Sequence, residues 1–423
     1  MKNETQRPKT RIPEGSFASF GKTVFVLAAL ICTVFCVQAA DRIPEKRVRQ
    51  FAEAVEAQST EVMEYLADKV RNHYIVGLGE DHWIKDHPQF LCDALRTLAQ
   101  DSTVKIDVLA VEFGNQRNQA LADSLVASPT YRHDLAIRIL RNAPDDVGNP
   151  YKEYADIFRT VWELNRTRPR SQRTRILLLD PPFVLDALDG KPFEAAGSRD
   201  DAQTDLLRWE LIRKKHVLFY CGLGHVGRRI WGQYMPNADS YYNWPSAGML
   251  LKAMYPDQVC LLEIWGGLMG SNGYISRDDE KRWERLYGGL FDDAFRLNGD
   301  RPVGFDLSGP AFDSLTVARH FTATPEAYSK WDARADKGAP YRKTDRLCDY
   351  IDGILFFRPV ETFGGATVIE DLYDEAFVER VSGRTGGKYP SRRAIYEYIR
   401  ESHPIMHESL DALIAKEKEK ERQ

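Results

Sequence analysis

Short apolar runs that each end in an ionisable residue, with helical text between them, constrain this chain more than any other feature. Tyr74–Leu78 is the first, an apolar run with β-branched members and glycines around it, which predicts a buried strand. Gly77 and Gly79 are expected to let the backbone turn tightly as it leaves the sheet. Glu80, Asp81 and His82 crowd the end of that strand. A helix follows, with Phe90, Leu91, Ala94, Leu95 and Leu98 on its apolar face. Ile106–Glu112 ends in a glutamate, and Arg175–Asp180 ends in an aspartate before Pro181-Pro182. Val217–Cys221 is followed by Gly222-Leu223-Gly224-His225. Gln258–Ile264 is a fifth strand, and Pro302–Leu307 and Gly353–Phe357 are late ones.

Strands alternating with helices predict an α/β fold, a mostly parallel central sheet with helices on both faces. Between Asn115 and Arg170 the text is helical over Leu121–Leu125, Leu135–Leu140 and Tyr151–Leu164, far more chain than a simple crossover needs. It is expected to form an inserted helical layer, about residues 115–170, over the carboxyl edge of the sheet. Arg47–Val70 predicts one helix packed on the sheet. Ser198–Lys214 predicts another, carrying Leu206, Leu207 and Trp209, with further helices around Ala247–Met254 and Asp278–Leu297. Ser391–Arg400 and His403–Lys416 close the chain within a helical region of about 370–423. No linker divides residues 41–423, which are expected to form a single domain.

Residues 1–22 are polar and mildly basic, Thr23–Val37 carries no charge, and Val37-Gln38-Ala39 fits a small-residue cleavage site. That layout predicts a signal peptide over residues 1–40 and a periplasmic or secreted protein. An uncleaved anchor over residues 23–40 is the alternative, and the one route by which a membrane would be a partner. Cys32 and Cys36 would leave with the peptide; Cys221 and Cys260 sit in strand-like runs, and Cys92 and Cys348 lack metal or redox spacing. A net charge of −4 without any interleaved basic and aromatic run argues against nucleic acid as a partner, and a small-molecule substrate is the expected one.

Ligands of open α/β sheets bind outside the carboxyl ends of the strands. Glu80 with His82, Glu112, Asp180 and His225 all fall there. Taken singly, each has a bland explanation: a capping acid beside a surface histidine, an ion-pair partner, a loop cap, a helix cap. A charge at the end of a buried strand is costly unless it is paired or lines a cleft, so the repetition points to one shared polar cleft.

Gly77-Leu78-Gly79-Glu80-Asp81-His82 resembles the G-x-G-E-x-x-H or G-E-x-H start of the erythromycin esterase-like family, part of the haem-uptake and Tiki-like superfamily. The likeness continues through Val111-Glu112, the strand ending at Asp180, Arg199-Asp200-Asp201-Ala202-Gln203 and His216–Val226. It ends with Ala247–Leu251, Asp257–Leu261 and Gly353–Phe357. Where that family has A-T-H-G, this chain has Asp81-His82-Trp83. Where it has the first histidine of H-N-x-H, this chain has Gly222.

The resemblance implies an exported hydrolase in which activated water attacks an ester or related acyl bond without a covalent intermediate. No G-x-S-x-G elbow is present. His82 is the expected general base, since an unperturbed imidazole titrates at about 6.5. Glu80 or Glu112 would orient it or place the water, and Arg199 would stabilise the oxyanion. His225 would act as a second acid/base or hydrogen-bond donor, with Asp180 and Asp81 supporting from behind. No cofactor is expected on this account. Two alternatives stay open: a divalent metal held by His82, Glu80, Glu112 and His225, or haem with His82, His225 or Tyr220 as axial ligand. Trp83, Tyr241, Tyr242, Trp244 and Trp265 are either walls of the cleft or core.

Overall fold

The computed structural model describes residues 43–143, 147–181, 199–235, 240–266, 285–317, 345–402 and 407–423. The expected signal peptide lies outside the described residues, as does the 278–284 part of one expected helix. Val48–Gln423 forms one compact unit. Among the described residues no helix is long and apolar enough to cross a membrane.

Among the described residues the central sheet has eight strands, in chain order β1 (Thr60–Glu61), β2 (Ile75–Glu80), β3 (Val108–Asn115), β4 (Arg175–Asp180), β5 (Val217–Gly222), β8 (Val259–Ile264), β9 (Val303–Asp306) and β10 (Gly353–Phe356). Across the sheet they lie in the order β1-β9-β10-β8-β2-β5-β3-β4. The six strands from β10 to β4 run parallel; at one margin β9 pairs antiparallel with β10, and β1 antiparallel with β9. A separate antiparallel hairpin, β6 (Ile230–Met235) and β7 (Ser240–Pro245), has no counterpart in the sequence expectations.

Alternate residues of each strand feed different layers, as the period of two requires. Val76, Leu78, Leu109, Val111, Ile176 and Leu218 pack under the helices Val62–Asn72, Asp86–Leu98, Gln119–Ala127, His133–Leu140 and Lys152–Arg166. Ile75, Val108, Ala110, Leu177, Val217 and Phe219 pack under Leu207, Leu211, Ala247 and Leu251 of the helices Arg199–Ile212 and Ala247–Met254. The expected α/β fold, with helices on both faces, is what the chain adopts.

Three local expectations need correction. The continuous helix Arg47–Val70 is broken: Glu45–Gln58 stops, Thr60–Glu61 pairs with Gly304 and Val303, and a second helix starts at Val62. Glu61 forces that restart, its carboxylate accepting from the backbone N–H groups of Met63 and Glu64. On the helix Arg199–Ile212 it is Leu207 and Leu211 that face the sheet, while Trp209 is 53% exposed. Gly79 serves close approach within β2: a Cβ there would stand 3.0 Å from Leu223 Cα. The short helix Leu223–Val226, which carries His225, can therefore sit directly on β2.

Strand β4 is an open margin of the sheet, and a side chain seals it. Gln119 Oε1 accepts from Leu178 N at 2.9 Å and its Nε2 donates to Ile176 O at 2.8 Å, so one amide stands in for a neighbouring peptide group. Gln119→Ala should lower unfolding free energy by about 1–3 kcal/mol, the usual consequence of leaving such groups unsatisfied. It should also promote association through the bared edge, read by denaturant titration and light scattering.

Candidate active site

Strands β2, β3, β4 and β5 bring Glu80, Glu112, Asp180 and Gly222 to one carboxyl edge. Glu80 is the Cα partner of Gly222 across β2 and β5. The β3–β4 register shifts between Val111 and Asn115, which places Glu112 at an irregularity, a common device for re-aiming a side chain next to a site. Arg199 opens its helix beneath β4, and His225 comes from the short helix after β5.

The side chains form one connected array. Glu80 Oε1 holds His82 Nδ1 at 2.9 Å, and His82 Nε2 lies 3.5 Å from Glu112 Oε1. Arg199 Nη2 donates to Glu112 Oε2 at 3.0 Å and to Asp180 Oδ2 at 2.8 Å, and its Nε donates to Asp180 Oδ1 at 2.6 Å. Arg199 Nη1 reaches His225 Nε2 at 3.2 Å, and His225 Nδ1 meets Asp200 Oδ1 at 2.8 Å. A guanidinium only donates, so His225 Nε2 accepts and Nδ1 carries the hydrogen given to Asp200. Asp200 also accepts from Ala247 N at 2.8 Å, at the start of the next helix. The structure thus brings together all five expected catalytic residues and Asp180.

Asp81 does not join them. Its carboxyl lies on the β8 side, where a Cβ on Gly266 would stand 2.0 Å from Asp81 Oδ2 and 3.2 Å from His87 Cε1. Burial, and then Glu263, push its carboxyl well above the ordinary range. Two further residues do belong, one to which the sequence gave no role and one named there only as an alternative haem ligand. Tyr154, from the inserted helix Lys152–Arg166, and Tyr220 both donate their hydroxyls to Glu80, which is buried. Tyr154 also stacks on Phe113 at 4.1 Å between centroids. Its signal was weak, because an aromatic at helical spacing beside Tyr151 and Phe158 reads as core. Asp200 was visible only as the neighbour of Arg199.

A cleft of about 370 Å³ opens on this array, walled by His82, Glu112, Arg199, Trp83, Phe113 and residues of the insertion that include Asn149, Tyr151 and Tyr154. The helical layer therefore covers the carboxyl edge as expected. Trp83 lines the cleft, but Trp265 is core, stacked on Phe291 at 4.3 Å. Trp244 lies half-buried on β7, and the side chains of Tyr241 and Tyr242 lie outside the described residues.

Charge is arranged in depth. The His82 side chain is 41% exposed and that of Arg199 29%, whereas the Glu112 side chain is 5% exposed. Enclosure disfavours the charged imidazole, but Glu112 and then Glu80 outweigh it and raise the His82 pKa to about 9. Burial pushes Glu112 up, but His82 and Arg199 outweigh it and hold its pKa at about 2. For Asp180 burial prevails over Arg199 and the pKa is raised.

Glu80, His82 and Glu112 can each turn a ligand atom within 4.8 Å of the others, the one such metal-competent group among the described residues. His225 is not part of it, since its Nε2 is engaged by Arg199. The guanidinium on Glu112 adds a fixed positive charge beside any cation bound there. Tyr220 is fully buried with its hydroxyl on Glu80, which closes it to haem.

No protein-family model matches the chain, and no curated protein matches it. Among solved structures it is similar to a Bacillus cereus protein at 12% identity and a TM-score of 0.47, over 76% of this chain and 99% of that one. It is also similar to a succinoglycan biosynthesis protein at 10% identity and a TM-score of 0.43, over 75% and 98% of the two chains. At that distance the likeness says nothing about activity. The fold and the array define an α/β protein with a histidine–carboxylate–arginine cleft at the carboxyl edge of its sheet.

The ion pairs make stability depend on pH with a definite sign. The His82 pKa is raised from 6.5 to about 9, so its contribution is complete below pH 6.5 and lost as pH rises through about 9. The Glu112 pKa is lowered from 4.5 to about 2, so its contribution is present above pH 4.5 and lost as pH falls through about 2. Wild-type stability should decline from pH 6.5 to 9 in equilibrium unfolding, and His82→Gln should flatten that decline. A His82 ring titrating near 6.5 by nitrogen NMR would contradict the assignment.

Proposed function

We propose that this chain is an exported hydrolase of the erythromycin esterase-like type, acting on a carboxylic ester or related acyl bond by direct attack of water. The observation that carries the proposal is the pairing of two partly exposed cations, His82 and Arg199, in one cleft above buried carboxylates that fix both. Glu80 engages Nδ1, which leaves Nε2 of His82 as the atom that exchanges protons in the cleft. Of the five guanidinium hydrogens of Arg199, four are used by Asp180, Glu112 and His225, and one on Nη1 is left for a developing oxyanion. Neutral His82 takes a proton from water at Nε2 as the water oxygen bonds to the carbonyl carbon. The resulting oxyanion is held by Arg199. Collapse breaks the ester bond, and the same proton passes from Nε2 to the departing alkoxide.

The raised His82 pKa corrects the expectation of a base poised at about 6.5. At neutral pH the ring is mostly an imidazolium, so kcat/KM should rise about tenfold per pH unit and level off above pH 9. His82→Ala should lower turnover on an ester panel by about 10²–10⁴-fold. Arg199→Lys should lose activity as well, because an ammonium cannot span Asp180, Glu112 and His225 together. A folded His82→Ala protein with unchanged turnover would overturn the assignment.

The spacing of Glu80, His82 and Glu112 supports a second reading, a metal-dependent hydrolase in which the ion would polarise the carbonyl or activate water. Loss of activity with chelator, restored by zinc or manganese, would favour it over the first.

A further inference from the structure

Trp83 sits where an L residue is disfavoured. Its φ is 69°, in the left-handed region, where a bulky side chain is strained. The backbone is held there from the other side. Ala366 N donates to Trp83 O at 2.7 Å, Lys85 N donates to Gly364 O at 3.0 Å, and Ile84 bridges Gly365. The indole, partly buried against the main core, also lines the cleft next to His82, ring centroids 6.1 Å apart. Phe113, Tyr151 and Tyr154 line the same cleft, with Phe113 and Tyr154 stacked on one another, their planes 5° from parallel. At about 370 Å³ the space lies near the lower end for ligand pockets, which run from about 300 to 1,000 Å³.

We propose that the cleft binds a compact carboxylic ester with a flat aromatic acyl group, and that Trp83 is the wall that selects it. The proposal rests on the hydrolase reading for the word ester, and on the cleft alone for the ring. An aromatic acyl group places its ring one bond from the carbonyl that Arg199 would hold beside His82, which is the neighbourhood of the indole. Ring stacking rewards planarity at equal size, and the strain at Trp83 is retained for that contact.

The test needs no turnover. Benzoate and cyclohexanecarboxylate have the same charge and nearly the same size, and either can occupy the acyl-product position. Calorimetric titration of the wild type should give benzoate a Kd about three- to tenfold lower. Trp83→Gly, which suits the left-handed backbone and whose folding is checked by its Tm, should erase that preference. Trp83→Phe should keep part of it and guards against a defect peculiar to the glycine variant. Equal affinities in the wild type, a preference intact in Trp83→Gly, or no binding of either acid by folded wild type overturns the proposal. Wild type that binds benzoate preferentially but cleaves no ester sinks the hydrolase reading and leaves the aromatic site standing.

Discussion

Everything at the carboxyl edge hangs on one guanidinium. Arg199 joins Asp180 at the end of β4, Glu112 on β3 and His225 after β5. It does so from the first turn of a helix, where the positive end of the macrodipole disfavours a cation. The bidentate contact with a fully buried Asp180 offsets that cost, because fork-to-carboxylate hydrogen bonds are short, charge-assisted and geometrically exact in a way a lysine cannot match. Removing one partner of such a set is worse than never having built it, since the others remain buried and uncompensated. The same bonds leave the guanidinium no freedom to rotate, so any donor it offers to the cleft is fixed before a ligand arrives.

The helical insertion does more than roof the site. Tyr154 stacks on Phe113 and donates to Glu80, and Glu80 in turn holds His82. A side chain from a segment with no place in a minimal βαβ crossover therefore takes part in aligning the histidine. Tyr220 does the same from the sheet itself. With two hydroxyls and an imidazole on it, the Glu80 carboxylate has little room to swing, and His82 inherits that rigidity.

The strands were legible because each buried run in a parallel sheet is nearly all apolar, and a carboxylate or histidine at its end contrasts with everything before it. That contrast located Glu80, Glu112, Asp180 and His225. It failed where a polar residue at a strand end turns to the wrong side, as Asp81 does toward Gly266. Periodicity could not separate Tyr154 from Tyr151 and Phe158, since a helix presents core and cleft residues on the same stripe. The break at Thr60–Glu61 was hidden because apolar spacing runs through it; only the cap at Glu61 and the pairing with β9 mark it. The β6–β7 hairpin lacks an Asn-Gly or Asp-Gly turn, the strongest short-range sign of such a ribbon.

The bare backbone at Gly222 and the ring of His82 are geometrically linked. A Cβ at Gly222 would come within 2.8 Å of both Cε1 and Nε2 of His82, and within 3.2 Å of Glu112 Oε1. Gly222 also donates its backbone N–H to that same oxygen. The imidazole at position 82 therefore occupies the volume that a side chain at 222 would need, and a Cβ there would require the ring to shift. Bringing the ring there so soon after Glu80 leaves the chain one residue in which to turn toward the segment that holds it at Gly364 and Ala366. That residue is Trp83, and the left-handed φ is how the turn is made. A glycine would make the turn without strain. An indole makes it and also closes the cleft, so the position of the histidine, the bare backbone opposite it and the size of the cleft are set by one local path of the chain.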